Sequence, residues 1–380
     1  MVLTYYYPHW TGLTVHAQWV AEGLVRRGHQ VTVLTAQYKP SLARSDRHNG
    51  VDIVRLPTVG RLSRGMLMPG FPGAVRRLIR EHDVVQMHTP LPEALLVAWL
   101  ARRAGTGSLF THHGDVVMPA GLFNQIVQHG MAAMMTQAMR WSDAITSYSR
   151  DYAENSAFLR PFLHKASFIQ PPVEIPSPVP EQVMAMRREL GLEGVPVVGF
   201  AGRFVEEKGF DFLLQAIPRI VKEMPGTKFA FAGECNVVYE RFFERCKPLI
   251  DQNREHLVFL GLVTDRQRLA NFYSMCDVFA LPSRTDCLAI VQVEAMLCGT
   301  PAVVSDIPGA RVAVQATGMG KLVPACNPPA LAQGLLEVLR SPEKYRKSPE
   351  AIRAVFDPDR TISQYEELML RLVKREAGGR

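Results

Sequence analysis

At 380 residues the chain is roughly two to three times the usual single-domain size, so two domains are expected. A composition of 47% hydrophobic and 21% charged residues with mean hydropathy near zero excludes a disordered, collagen-like or coiled-coil chain. The net charge of +7 is uneven: 17 Lys and Arg face 11 Asp and Glu up to residue 175, against 26 and 25 beyond it. Nearly all the basicity, with ten of the eleven histidines, therefore sits in the first half, which suits either an acidic partner or solvated arginine faces. The longest strictly apolar run, Ala94 to Ala101, is too short to span a bilayer, which needs about 20 residues. The start, MVLTYYYPHW, has no basic segment or cleavage signature, so a cytoplasmic location is the expectation. Six cysteines without Cys-x-x-Cys spacing read as reduced thiols and argue against zinc and disulfides.

In chain order, strands are expected at VLTYYY, QVTVLT, VDIVRL, DVVQMH, SLFTHH and DAITSY, with helical segments at Val15 to Arg27, Pro72 to Glu81, Pro92 to Arg103 and Gln125 to Arg140. The alternation implies a parallel sheet covered on both faces. Gln170 to Pro180 holds five prolines in eleven residues and reads as a linker. The rhythm restarts with VPVVGFAG, TKFAFAG, LVFLG, DVFALP and PAVVSD, apolar runs fit for a sheet buried on both faces. Helices should begin near Lys208 and near Thr264, where Thr264 and Gln267 have capping-box spacing. The expected layout is a first doubly wound domain at 1–170, a linker at 171–180, a second at 181–356, and a helix from 357–380 returning to the first.

Ligands of such sheets bind beyond the carboxyl ends of the strands. Two positions there carry chemistry. In AGRFVEEKGF, Arg203 ends a strand and Lys208-Gly209 opens the next helix, so two cations beside a helix amino terminus can hold a diphosphate. In TDCLAIVQVEAMLCGTPAVVSD, Asp286 and Glu294 stand eight apart and can accept hydroxyl hydrogen bonds from one ligand. His112 and His113 are adjacent in a strand and point to opposite faces, which disfavours a metal pair. His16, His88 and His129 read as surface residues, Ser149 as a helix cap or an acceptor contact, and Asp357-Pro358-Asp359 as a turn.

The order of these pieces resembles the retaining glycosyltransferases of GT-B fold, family 4 (glycosyltransferase group 1). Gly-Arg then Lys-Gly follows the first strand of the second domain, and about 80 residues later comes acid, seven residues, Glu-Ala-Met, Gly-x-Pro. In the first half, Pro8, Thr11-Gly12, Ala21-Glu22-Gly23-Leu24, Arg27-Gly28-His29-Gln30-Val31 and the THHG run at Thr111 to Gly114 are similar to the family's glycine loop, Arg-Gly-His and His-Gly segments. The resemblance implies an α/β GT-B fold of two Rossmann-like domains with parallel sheets facing across a cleft. It implies Arg203 and Lys208 on the donor diphosphate, Asp286 on the sugar, Glu294 on the ribose, and His113 near the transferred sugar and acceptor. Gly12, Val263, Asp265, Arg268, Leu288, Ala289 and Ile290 complete the implied nucleotide-sugar site, the loop from Gly261 to Arg268 framing the base. No metal or other cofactor is expected, because two side-chain cations meet the leaving group. The chain departs from the family pattern at Asp286 (usually Glu), Ala289 (usually Gly) and Leu13 (usually Gly).

The expected activity is transfer of a sugar from a UDP- or GDP-type nucleotide sugar to an acceptor with retention. An epimerase of the same fold and a catalytically weak nucleotide-sugar-binding subunit are the alternatives. A basic, amphipathic stretch adds an expectation. Val75, Leu78 and Ile79 with Arg76, Arg77 and Arg80, near Met66, Leu67, Met68, Phe71, Arg61 and Arg64, suit an anionic membrane surface and a lipid-linked or anionic acceptor, unless the apolar residues face the core. Nucleic acid is not expected as a partner, and the sequence leaves the oligomeric state open.

Overall fold

A computed structural model describes residues 1–62, 65–115, 122–235, 237 and 240–377. The chain divides into two compact units, Met1–Pro172 with Pro358–Arg380, and Val173–Asp357.

In the first unit the strands are β1 (Thr32–Ala36), β2 (Ser45–His48), β3 (Val51–Leu56), β4 (Gly60–Leu62), β5 (Gly65–Leu67), β6 (Val84–Thr89), β7 (Gly107–His112), β8 (Ala144–Ser147) and β9 (Ala166–Phe168). β1 and β3 pair in parallel with β2 antiparallel on the edge, and β6, β7, β8 and β9 form a parallel row. Val2 joins the two rows through parallel bridges to Leu34 and Met87. The strand expected at VLTYYY is thus reduced to a bridge: Thr4 still accepts from the Ala36 N–H, and the chain then turns at Tyr6 to His9. β2, the β4–β5 hairpin and β9 were not legible in the sequence, because strands of three or four residues are too short to show an alternating pattern.

Helix Gly12–Arg26 opens on a capping box in which Thr11 Oγ1 accepts from the Thr14 N–H and Thr14 Oγ1 accepts from the Thr11 N–H. Its inner face, His16, Ala17, Val20, Ala21 and Leu24, is buried. Gly23 meets helix Pro358–Ala377 so closely that a Cβ would lie 2.6 Å from Ile362. Asp357-Pro358-Asp359 is therefore the start of a helix rather than a turn, with proline where its missing N–H costs nothing.

Helix Phe71–Glu81 buries Phe71, Val75 and Ile79 and exposes Arg76, Arg77 and Arg80. Its apolar face is spent on the core and is not offered to a membrane. Arg64 lies outside the described residues. Among those described, no helix is long and apolar enough to cross a bilayer.

The second unit holds β10 (Val197–Ala201), β11 (Lys228–Ala232), β12 (Leu257–Gly261), β13 (Val278–Leu281), β14 (Ala302–Ser305) and β15 (Gly320–Val323). All pair in parallel, in the order β12-β11-β10-β13-β14-β15. The strand order reverses between β10 and β13, which is where ligands of open α/β sheets bind. β10 and β13 are buried at every position, and Phe200, Phe204, Phe210 and Phe231 pack beneath the β10 end, Phe204 and Phe210 edge to face at 4.7 Å. Each such ring contributes about 1.5 to 3 kcal/mol of burial, enough to hold the loops above it. The proline-rich run carries no helix or strand until Pro180, which begins helix Pro180–Glu189 at its first position. The cap of helix Arg266–Met275 is Asp265, whose carboxylate accepts from the Arg268 N–H at 2.6 Å, rather than the expected Thr264.

Candidate active site

β10 ends at Ala201, and the chain passes Gly202 and Arg203 into a short 3₁₀ turn, Glu206–Lys208, before helix Phe210–Glu223. Gly209 at the junction has φ +66°, and a Cβ there would lie 1.9 Å from the Pro282 carbonyl oxygen. Only glycine allows this loop to lie against the chain leaving β13. The two loops are then tied together. The Arg284 N–H donates to the Glu207 carbonyl at 2.8 Å, and the Arg284 guanidinium grips both oxygens of Asp211 at 2.8 and 2.7 Å.

This docking brings Lys208 Nζ to 2.6 Å from Asp286 Oδ2, across 78 residues of sequence. Ser283 Oγ donates to the same carboxylate oxygen at 3.4 Å. Burial opposes the charge of Lys208, but the Asp286 and Glu207 carboxylates outweigh it and hold the ammonium above its ordinary pKa. Arg203, half-buried, pairs with Glu207 at 3.4 Å. Two cations and a carboxylate thus meet at the reversal point of the sheet.

Behind Asp286 the backbone bridges to Gly309, whose φ of +83° brings it within 2.5 Å, by its would-be Cβ, of the Asp286 and Cys287 carbonyl oxygens. Leu288, Ala289 and Ile290 are buried where helix Ile290–Leu297 begins. Ala289 is its N-cap at φ −73°, ψ 114°, a conformation any L-residue adopts, so alanine stands here without backbone strain.

Glu294, one turn in, is 3% exposed. Its carboxylate accepts from Arg266 at 2.9 Å and from the Tyr273 hydroxyl at 2.7 Å. Burial and the Glu294 charge push the Tyr273 phenol well above its usual pKa, keeping it a donor. Arg266 also donates to the Glu174 carbonyl in the extended run before helix Pro180–Glu189. Val263 is half-buried in the loop after β12, Asp265 is occupied as a cap, and Arg268 lies 3.7 Å from Glu189. Lys208 and Arg203 stand in the loop after β10, as the spacing expected, while the contact of Lys208 with Asp286 was not foreseen in the sequence. Arg266, Tyr273, Arg284 and Ser283 were missed, since a lone Arg or Tyr on a helix has no signature until the fold shows what it touches.

In the first unit His113, half-buried just past β7, contacts Tyr148 Oη through Nδ1 at 2.5 Å and His88 Nδ1 through Nε2 at 2.9 Å. His112 faces the other way and bonds Asp115 at 2.9 Å, as strand alternation requires. His16 and His88, read as surface residues, are instead fully buried, while His129 is exposed. Burial pushes the His16 imidazole down to about 3. Burial and the neighbouring rings hold His88 and His113 well below the usual range, so all three are neutral. Gly12 is the exposed first residue of its helix, and Ser149 is a cap accepting from the Tyr152 N–H at 3.1 Å.

A two-unit α/β molecule with parallel sheets and a cation–carboxylate cluster at the reversal of the second sheet defines the GT-B class of glycosyltransferase. Residues 184–355 match the family described as "Glycosyl transferases group 1", and residues 11–162 the "Glycosyl transferase 4-like domain". The chain belongs to this glycosyltransferase family, whose work is glycan biosynthesis. It is 28% identical over 341 residues to the GDP-mannose-dependent alpha-(1-6)-phosphatidylinositol monomannoside mannosyltransferase of Mycolicibacterium smegmatis, covering 85% of this chain and 84% of that one. It is likewise 28% identical over 343 residues to the phosphatidyl-myo-inositol mannosyltransferase of Mycobacterium tuberculosis, covering 87% and 84%. Among solved structures, sucrose-phosphate synthase from Thermosynechococcus elongatus superposes with a TM-score of 0.77 at 20% identity over 96% of this chain and 94% of that one. Anabaena Alr3699/HepE in complex with UDP and glucose gives 0.76 at 20% identity, over 97% and 98%.

Proposed function

We propose that this glycosyltransferase moves a hexosyl group from a nucleotide diphosphate sugar to an acceptor with retention at the anomeric carbon. The observation that carries this reading is the Lys208–Asp286 contact with Arg203 at the reversal of the second sheet. Lys208 and Arg203 stabilise the charge that builds on the departing diphosphate, in a site where burial strengthens each interaction. These cations meet that charge without a divalent ion. Asp286 receives sugar hydroxyls, and Glu294, held by Arg266 and Tyr273, receives the ribose. The loop with Val263, Asp265 and Arg268 frames the base, while Leu288, Ala289 and Ile290 bring backbone toward the phosphates. Gly12 and His113 serve the donor and acceptor from the first unit.

GDP-mannose is the first donor to test, because a relative aligned along most of the chain is named for it, with UDP-glucose second. The acceptor is a lipid-linked or otherwise anionic glycan precursor, in line with the phosphatidylinositol substrates in the relatives' names. The exposed Arg76, Arg77 and Arg80 would hold an anionic membrane surface by charge alone.

The test is incubation with labelled GDP-mannose and UDP-glucose, with and without Mg²⁺ or Mn²⁺, scoring transfer, hydrolysis and epimerisation separately. Metal-independent transfer with retained configuration is expected. Epimerisation without acceptor, or nucleotide binding without turnover, would replace the reading with one of the alternatives. Sedimentation with anionic and neutral vesicles tests the surface: pelleting only with anionic lipid, lost on replacing Arg76, Arg77 and Arg80 by Ser, is expected.

A further inference from the structure

The first unit gathers three imidazoles that no step above uses together. His16 comes from helix Gly12–Arg26, His88 from β6, and His113 from the residue after β7. β6 and β7 run parallel with Thr89 opposite His112, so the chain beyond the β7 end carries His113 over His88, ring centroids 5.1 Å apart. His16 reaches the same point from the helix above, its ring 5.0 Å from that of His113. One ring nitrogen from each histidine lies within 4.8 Å of the other two.

His16 Nδ1 and His88 Nε2 are buried without any hydrogen-bond partner. An orphaned buried polar atom costs about 1 to 3 kcal/mol, which a bound ion or an ordered water beside His16 Nδ1 would relieve. His88 Nδ1 and His113 Nε2 face each other at 2.9 Å, a contact that an ion between them would replace, and the remaining ring nitrogens are tied down: His16 Nε2 contacts Tyr365 Oη at 3.2 Å, and His113 Nδ1 contacts Tyr148 Oη at 2.5 Å. Hydrogen bonds of this kind orient metal-ligating imidazoles from behind. A neutral imidazole has one lone pair and one N–H, so each ring can ligate through the first and keep the second. The ligand atoms that converge here are all imidazole nitrogens, which suit zinc, cobalt, nickel and copper rather than magnesium or calcium.

We propose that His16, His88 and His113 form a binding site for one divalent transition-metal ion of the zinc type. Ring rotations close the nitrogens onto an ion at about 2.0 to 2.1 Å, with the fourth position left open. His113, being half-buried, is the side from which the ion enters. The site shares His113 with the reading above, while His16 and His88 carry no role in it, so metal binding to the stripped protein can be tested without reference to sugar transfer.

The test is titration of the chelator-stripped, full-length protein with Co²⁺, followed by displacement with Zn²⁺. One equivalent giving visible d–d bands without a thiolate charge-transfer band is expected, and excess Mg²⁺ should leave it in place. His88→Gln and His16→Gln should each weaken binding at least about 10-fold, while the exposed His129→Gln should not. No binding, a thiolate band, or undiminished binding in both ligand variants would overturn the site. X-ray absorption of the zinc-loaded wild type decides the matter if those variants do not fold. Three imidazole nitrogens support the site, and sulfur or fewer imidazoles refute it.

Discussion

The cation–carboxylate cluster of the second unit and the three-histidine cluster of the first treat buried ionisable groups in opposite ways. In the second, each cation named at the site has a carboxylate beside it: Lys208 with Asp286 at 2.6 Å, Arg266 with Glu294 at 2.9 Å, Arg284 with Asp211 at 2.7 Å. In the first, His16, His88 and His113 pack on one another and on tyrosines, and burial strips them of charge. Burial alone does not decide protonation; the partner does. Charge kept in place suits a site that must meet a diphosphate. Neutral imidazoles suit a lone-pair donor or a proton acceptor.

The sharpest way to break the contrast is to remove a charge from the second unit. Arg203→Ala or Lys208→Ala should cut turnover on the order of 100- to 1,000-fold, with the circular dichroism spectrum unchanged. Retention of more than a third of wild-type turnover in either variant would detach these cations from the diphosphate.

Acid should strike the first unit and alkali the second. Because the folded pKa of His16 lies near 3, below its unfolded value of 6.5, the unfolded chain binds more protons between those limits and stability falls as pH drops through that window. His16 contributes a slope of about 1.4 kcal/mol per pH unit there, and His88 and His113, whose pKa values are also held down by burial and by the neighbouring rings, act in the same direction in the metal-stripped protein. Lys208 has the opposite sign: its pKa is raised, so its contribution is complete below the ordinary lysine range and lost as pH rises through the folded value. Urea midpoints followed from pH 7 to 4 and from 9 to 11 check both limbs. A flat acid limb would mean that the histidines are charged when folded.

Within the second unit the carboxylates should separate by role. Glu294→Gln should weaken nucleoside diphosphate binding by about 1 to 3 kcal/mol in calorimetry, whereas Asp286→Ala should reduce transfer more than that binding. Equal losses in both would contradict the division. Asp286→Glu that improves transfer would show that the shorter acid is a handicap.

The smallest effect expected is from Tyr273→Phe, which removes one of the two donors to Glu294. A loss of about 0.5 to 1.5 kcal/mol in nucleotide affinity, with kcat nearly unchanged, is the outcome that a positioning role requires. A fall in kcat with affinity intact would place Tyr273 on the reacting groups instead.

The buried strands of both sheets and the cations after β10 were legible because continuous Val, Phe and Ala runs have few other uses, and because Arg203 and Lys208 sit beside a strand end. The amphipathic stretch at Phe71–Glu81 was also legible, but the direction its apolar face took was not: the pattern is the same whether Val75 and Ile79 meet a core or a lipid surface. By itself the sequence determined strand and helix periodicity and the residue types at strand ends, since both are local properties of the chain. Only the tertiary structure decided that Lys208 meets Asp286 across 78 residues, that Arg266 and Tyr273 share Glu294, and that three histidines far apart in sequence lose their charge together. Those outcomes depend on which loops close over which strands, and neither desolvation nor pairing has a value until that closure is made.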